Sequence, residues 1–171
     1  MGGLDSRLVA SQLDPQRRVR AVVTVATPHR GTPLAQWLLE SPGVAPRLFR
    51  VTMRHALRDL TVTACERLNR DAPDRADVRY FSYGGVRPEA EMSPLFRPWV
   101  RRIAATAGDN DSQVPLSSAL WGTFKQVVRA DHFELSGWSV GRRDPATQRP
   151  FDHLGFYRQV IAQLAADTRP A

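Results

Sequence analysis

The sequence predicts an α/β fold with a mostly parallel sheet, and three observations carry that expectation. Apolar runs near 20–26, 78–83 and 124–130 have the β-branched and aromatic content of strands. The first, Arg20-Ala21-Val22-Val23-Thr24-Val25-Ala26, is continuous rather than alternating, as in strands buried on both faces of a parallel sheet. Stretches with helical periodicity lie between the three runs, as crossover helices would.

The chain opens with Met1-Gly2-Gly3-Leu4-Asp5-Ser6-Arg7, which reads like the second half of a G-x-S-x-G nucleophile elbow. In such an elbow the serine sits on a strand-to-helix turn, and small residues let the following helix pack close to the sheet. Gly2 and Gly3 meet that need, and Leu4, Leu8, Val9 and Leu13 recur at helical spacing until Asp14-Pro15 stops them. On this reading Met1 stands one residue after an absent serine, and its backbone N–H is an oxyanion-hole donor. The plain alternative is an ordinary chain start with a Gly-Gly pair.

After the strand at 20–26 comes Thr27-Pro28-His29-Arg30-Gly31-Thr32-Pro33, a loop in which Thr27 and His29 would border a site as substrate-binding wall residues. Residues 33–77 form a helical, lid- or cap-like insertion. It has one helical pattern at Leu34–Leu39, another from about Pro46 to Asn69, and Ser41-Pro42-Gly43 as the break between them. Its apolar positions Leu48, Phe49, Val51, Met53, Leu57 and Leu60 suit either a substrate-facing surface or plain packing onto the core. A further helix is expected over Pro94–Ala105 with Trp99, a loop over 137–152, and a final amphipathic helix over 153–167 begun by Asp152 as a cap. Gly108-Asp109-Asn110-Asp111 is good turn chemistry, and His132 follows the strand ending at Ala130, so it lies at a carboxyl end where ligands bind in open α/β sheets.

From the Thr27 loop onward the sequence resembles bacterial triacylglycerol lipases and related esterases of the α/β-hydrolase superfamily. The similarity continues through Val78 to Gly85, Asn110 to Pro115 with Ser117-Ser118, Asp131-His132-Phe133-Glu134, and Phe156 to Gln159, in the same order. This resemblance implies a partial α/β-hydrolase fold, the C-terminal strands of its sheet with flanking helices, as a single unit over 1–171. It also implies a Ser-Asp-His triad of which the chain carries Asp111 and His132, in the chain order of that fold. Asp109 is the rival acid; Asp111 occupies the slot before the small residue and the valine. His29, His55 and His153 are rival bases, read as loop packing, surface and helix N-terminal turn respectively. The implied activity is carboxylic ester hydrolysis on a small-molecule or lipid ester, by an enzyme of which this chain, lacking the nucleophile, is an inactive part. The rival reading is a non-catalytic scaffold or binding protein of the same fold.

Composition bounds the rest. The chain has 171 residues, 42% hydrophobic and 24% charged, as expected for one globular domain. Its net charge of +7 comes from arginines that are dispersed apart from the short clusters at Arg17-Arg18, Arg101-Arg102 and Arg142-Arg143, with no aromatic-interleaved stripe, so no nucleic-acid partner is expected. Cys65 is the single cysteine, which excludes an intrachain disulfide and argues against a thiolate metal site. Some of the resembled lipases have a structural calcium site; Glu134 stands near one ligand position, but no second carboxylate accompanies it, so no metal and no cofactor are expected. No run of about 18 apolar residues and no signal peptide is visible, and the compartment is left unassigned.

Overall fold

The computed structural model describes residues 1–139, 143–144 and 147–168, with backbone alone at 44, 45 and 49. Part of the expected loop at 137–152, Arg142 and the side chain of Phe49 therefore lie outside the described residues. The order is α1 (Gly2–Gln12), β1 (Ala21–Val25), α2 (Pro33–Glu40), α3 (Val44–Asp59), α4 (Val62–Asp71), β2 (Arg79–Gly85), α5 (Arg97–Ala107), α6 (Leu116–Ala119), β3 (Thr123–Val128), α7 (His132–Leu135) and α8 (His153–Asp167), with one 3₁₀ turn at Glu89–Glu91.

The three strands form one parallel sheet in the order β1-β2-β3, with Val23 opposite Phe81 and Tyr83 opposite Gln126. Ser82 pairs with Phe124 but Tyr83 with Gln126, so Lys125 is an extra residue, a β-bulge in β3. Strand β1 is covered on both sides, as its unbroken apolar run requires. Val22 packs with Ala10 of α1, Val78 and Tyr80. Val23 and Val25 pack on the other side against Tyr83, Val128, Leu135 of α7, and Phe156 and Val160 of α8. Asp167 ties α8 back to the sheet through Lys125 Nζ at 2.6 Å.

Helix α1 buries Leu4, Arg7 and Ala10, whereas Val9 and Leu13 of the expected apolar stripe are exposed. Close packing comes from Gly3, where an added Cβ would lie 2.2 Å from Thr27 Oγ1; at Gly2 nothing lies within 4 Å. The space beside Gly3 is filled by the side chain of Thr27, two residues beyond β1.

The expected single helix at 46–69 is two helices. Leu60 ends α3, and the Thr61 side chain caps α4 by accepting from Ala64 N at 3.3 Å; α3 itself kinks at Met53 (φ −126°). Thr61 is an N-cap residue inside an otherwise continuous apolar pattern. Leu57 packs with Leu34, Ala35, Leu38 and Ile103 in a second core formed by α2, α3 and α5, while Leu48, Val51 and Met53 are exposed. Helix α2 starts with Thr32 as cap and Pro33 in its first turn, as sequence chemistry favours. The Thr32 hydroxyl also donates to Gln113 O at 2.5 Å, fastening this helical unit to the Asp111 loop.

Candidate functional site

Two segments at the carboxyl end of the sheet meet: the 108–115 turn before α6, and α7 after β3. In the turn, Asp111 Oδ1 accepts from the backbone N–H groups of Gln113 (3.0 Å) and Val114 (2.7 Å), and Ser112 takes a left-handed φ of 82° to close the curve. That leaves Asp111 Oδ2 for His132, whose Nδ1 lies 2.8 Å away. The turn role and the pairing role thus coexist on one carboxylate, one oxygen each. Asp111 is fully buried, and Asp109 is exposed with no bond to His132.

His132 is the first residue of α7, and its backbone N–H donates to Asp111 O at 2.9 Å, so main chain and side chain are both tied to the acid. Helix α7 is short but strongly capped. Asp131 Oδ1 accepts from Phe133 N and Glu134 N at 2.9 Å each, and Glu134 Oε2 accepts from Asp131 N at 2.9 Å, a complete capping box around His132. The His132 side chain is 30% exposed, and no hydrogen bond to its Nε2 occurs among the described residues. Burial opposes its charged form, but the charge of Asp111 and the hydrogen bond to it outweigh that, so its pKa is raised above the ordinary histidine value. An imidazole held at Nδ1 by a buried carboxylate, with Nε2 open, is a proton acceptor in a fixed tautomer.

The other expected residues fall as follows. Met1 is 48% exposed and starts α1, its carbonyl accepting from Leu4 N at 2.7 Å. A cavity of about 220 Å³ adjoins Met1, lined by Leu4, Asp5, Leu8, Asp59, Ala64 and Leu68. Thr27 is buried against Gly3. His29 was expected to border the site, with hydrogen-bonded loop packing as the alternative, and the structure shows the packing. The residue is fully buried, with Nε2 3.0 Å from Thr24 Oγ1, Nδ1 3.5 Å from Arg7 Nη1, and its ring stacked on Trp121. Burial and then the charges of Arg7 and Arg30 push its pKa down to about 3, so it is a neutral packing group. His55 is exposed, and the His153 ring packs beside Gly137 while Asp152 Oδ1 caps α8 at Gly155 N.

Three contributors escaped the sequence reading. Arg7 is buried, bonded to Asn69 Oδ1 at 2.7 Å, with its guanidinium 3.6 Å over the Trp121 ring. Arg87 holds Glu134 with two bonds, Nε to Oε2 at 2.7 Å and Nη2 to Oε1 at 2.9 Å. Glu134 therefore does not fit a calcium ligand, because a guanidinium already occupies both of its oxygens. Among the described residues no group of three or more His, Cys, Asp or Glu is arranged to hold a metal ion. Third, Gly85 ends β2 where an added Cβ would lie 3.0 Å from Asp111 Cβ and 2.9 Å from Leu135 Cδ1. Residues 137–141, Gly-Trp-Ser-Val-Gly, spell G-x-S-x-G, yet they follow helix α7 rather than a strand, and two of the five lie outside the described residues.

No protein-family model matches this chain. It is 25% identical over 178 residues to triacylglycerol lipase 2 of Saccharomyces cerevisiae, an alignment covering 96% of this chain and 55% of that protein. Among solved structures it is similar to a metagenomic carboxyl esterase, at 27% identity and TM-score 0.64 over 77% of this chain and 42% of that one. Against the Staphylococcus hyicus lipase the TM-score is 0.75 over 96% of this chain and 67% of that one, at 15% identity, a likeness of fold alone. The chain spans about half the length of the curated relative it matches.

Proposed function

We propose, on the premise that this chain carries part of the α/β-hydrolase fold of lipases and esterases, that it supplies the acid and the base of a carboxylic ester hydrolase. His132 is the general base and then acid, Asp111 its orienter, and the Met1 backbone N–H an oxyanion donor. Among the described residues no serine stands on a strand-to-helix turn, and on this reading the chain alone is inactive. The observation that carries the reading is the 2.8 Å bond from His132 Nδ1 to a buried Asp111, with Nε2 left open.

In the complete triad the serine hydroxyl passes its proton to His132 Nε2 as its oxygen attacks the ester carbonyl. Asp111 holds Nδ1–H and stabilises the imidazolium, which then protonates the departing alcohol. Water, deprotonated by the same imidazole, releases the acid from the acyl-enzyme. The helical unit α2–α4 is read as a lid or cap beside that site, with the exposed Leu48, Val51 and Met53 as its apolar outer positions.

The test joins an upstream strand ending in G-x-S ahead of Met1. Hydrolysis of p-nitrophenyl esters should appear, and His132→Ala should remove nearly all of the serine-dependent rate. Asp111→Asn should cost about 10⁴-fold, by analogy with the known serine-protease case. The chain without that strand should show no turnover and no fluorophosphonate labelling. Labelling of Ser139, within 137–141, would overturn the reading, and ester binding without turnover in the completed protein would favour a non-catalytic scaffold.

A further inference from the structure

Arg87 lies two residues beyond β2, and its side chain is 2% exposed. It reaches both halves of the Asp111–His132 pair without touching either side chain. Its backbone N–H donates to Asn110 O at 3.2 Å, on the residue directly before Asp111. Its guanidinium grips Glu134 of α7 with two bonds, at 2.7 and 2.9 Å, and Glu91 with a third at 3.1 Å. Glu134 Oε2 in turn receives the N–H of Asp131, the residue directly before His132.

We propose that Arg87 is the positioning residue of the dyad: its backbone N–H ties the acid's loop, and its guanidinium sets the base's helix. The physical case rests on what fixes the first turn of α7, where His132 sits. That helix has only four residues, too few to hold its own direction; Leu135 in the core and Phe133 stacked on Phe96 anchor its far side, while the capping box through Glu134 restrains the turn at His132. A capping carboxylate with no cation beside it would be a buried charge free to turn outward; the planar fork of arginine fixes both of its oxygens. Rotation of α7 moves the His132 ring directly, since His132 is the helix's first residue. A misplacement of about 1 Å is enough to weaken a catalytic contact severely. Lysine could neutralise Glu134 but could not fix its plane.

The catalytic consequence rests on the proposed ester-hydrolase reading, but the geometry can be tested without activity. The measurement is NMR of the His132 imidazole in this chain: its titration and the downfield resonance of the Nδ1 proton shared with Asp111. Asp111→Asn is the control. If it leaves that resonance in place, the assignment of the dyad fails, and with it the functional reading.

Arg87→Lys should retain the fold but weaken or lose the downfield signal, with the His132 pKa moving back toward about 6.5. Arg87→Met alone risks unfolding, because it leaves a buried carboxylate without its guanidinium. The decisive variant is therefore Arg87→Met with Glu134→Met, which removes a neutral pair as a pair and can restore stability. With that variant folded, loss of the signal and a lowered His132 pKa support positioning, and sub-denaturing guanidinium should restore the signal in Arg87→Ala. An unchanged signal and titration in the folded double variant would overturn the proposal.

Discussion

Gly3 of α1 lies so close to Thr27 at the end of β1 that a methyl group on the glycine would stand 2.2 Å from the threonine hydroxyl and 2.8 Å from its Cγ2. Helix and sheet meet there with no room for a side chain. Gly3→Ala should therefore destabilise the protein by about 1–3 kcal/mol, the usual cost of overpacking. Gly2→Ala, one residue earlier and facing open space, should be neutral or gain up to about 1 kcal/mol from helix propensity. Urea unfolding of the two variants checks this, and equal effects would refute the packing argument.

Buried, neutral His29 makes stability fall in acid. Its folded pKa is pushed down to about 3 from an ordinary 6.5, so below 6.5 the unfolded chain binds a proton that the folded chain refuses. Stability is lost as pH drops from about 6.5 toward 3, at up to about 1.4 kcal/mol per unit. His29→Gln, which keeps a neutral hydrogen-bonding group, should flatten the pH dependence of the urea midpoint between pH 6.5 and 4. An unaltered slope would assign the effect to the carboxylates, including Asp14 and Asp77, whose pKa values are lowered by their bonds to backbone and to Arg75 respectively.

The raised His132 pKa runs the other way. The stability it contributes is fully present below the unfolded value and fades as pH rises through the folded one. Asp111→Asn should lower the His132 pKa measured by NMR, whereas Asp109→Asn should leave it in place, because Asp109 is exposed and makes no bond to the ring. The reverse ranking would exchange the two acids.

Gly85→Ala should disturb the pair from below. The added Cβ meets Asp111 Cβ and Ala130 O at 3.0 Å each, so the acid's turn or the chain leading to His132 must yield by a few tenths of an ångström. We expect a loss of about 1–2 kcal/mol together with a changed Nδ1 proton resonance. A wild-type resonance would mean that Leu135, the flexible neighbour, absorbs the strain alone.

Much of this arrangement was legible in the residues themselves. The three strands are found within two residues of where β-branched and aromatic content places them, although only β1 and β2 are largely buried and β3 is half exposed. Asp111 and His132 were singled out by the resemblance to lipases rather than by any local pattern, and the fold sets them 2.8 Å apart; α8 was legible through Asp152 and its periodicity. The break at Leu60-Thr61 was not, because the apolar pattern runs on across it and only the capping threonine signals two helices. The burial of Arg7 and His29 was not legible, because a stack on Trp121 and bonds to Asn69 and Thr24 join residues that no local pattern brings together. The Arg87–Glu134 bond joins positions 47 residues apart, a distance over which single-sequence reasoning carries no signal.

The extra residue in β3 has an evolutionary reading. Because Lys125 has no opposite number in β2, the alternation of β3 is reset there, and Val128 turns inward while Val127 stays exposed. Removing one residue here would straighten the strand but reverse the side to which each later position points, through Ala130 and Asp131 to His132. Strand β3 should therefore tolerate many changes of amino acid and almost no change of length. A deletion scan over 123–128, compared with substitutions at the same sites, would expose that asymmetry as a cliff in the yield of folded protein.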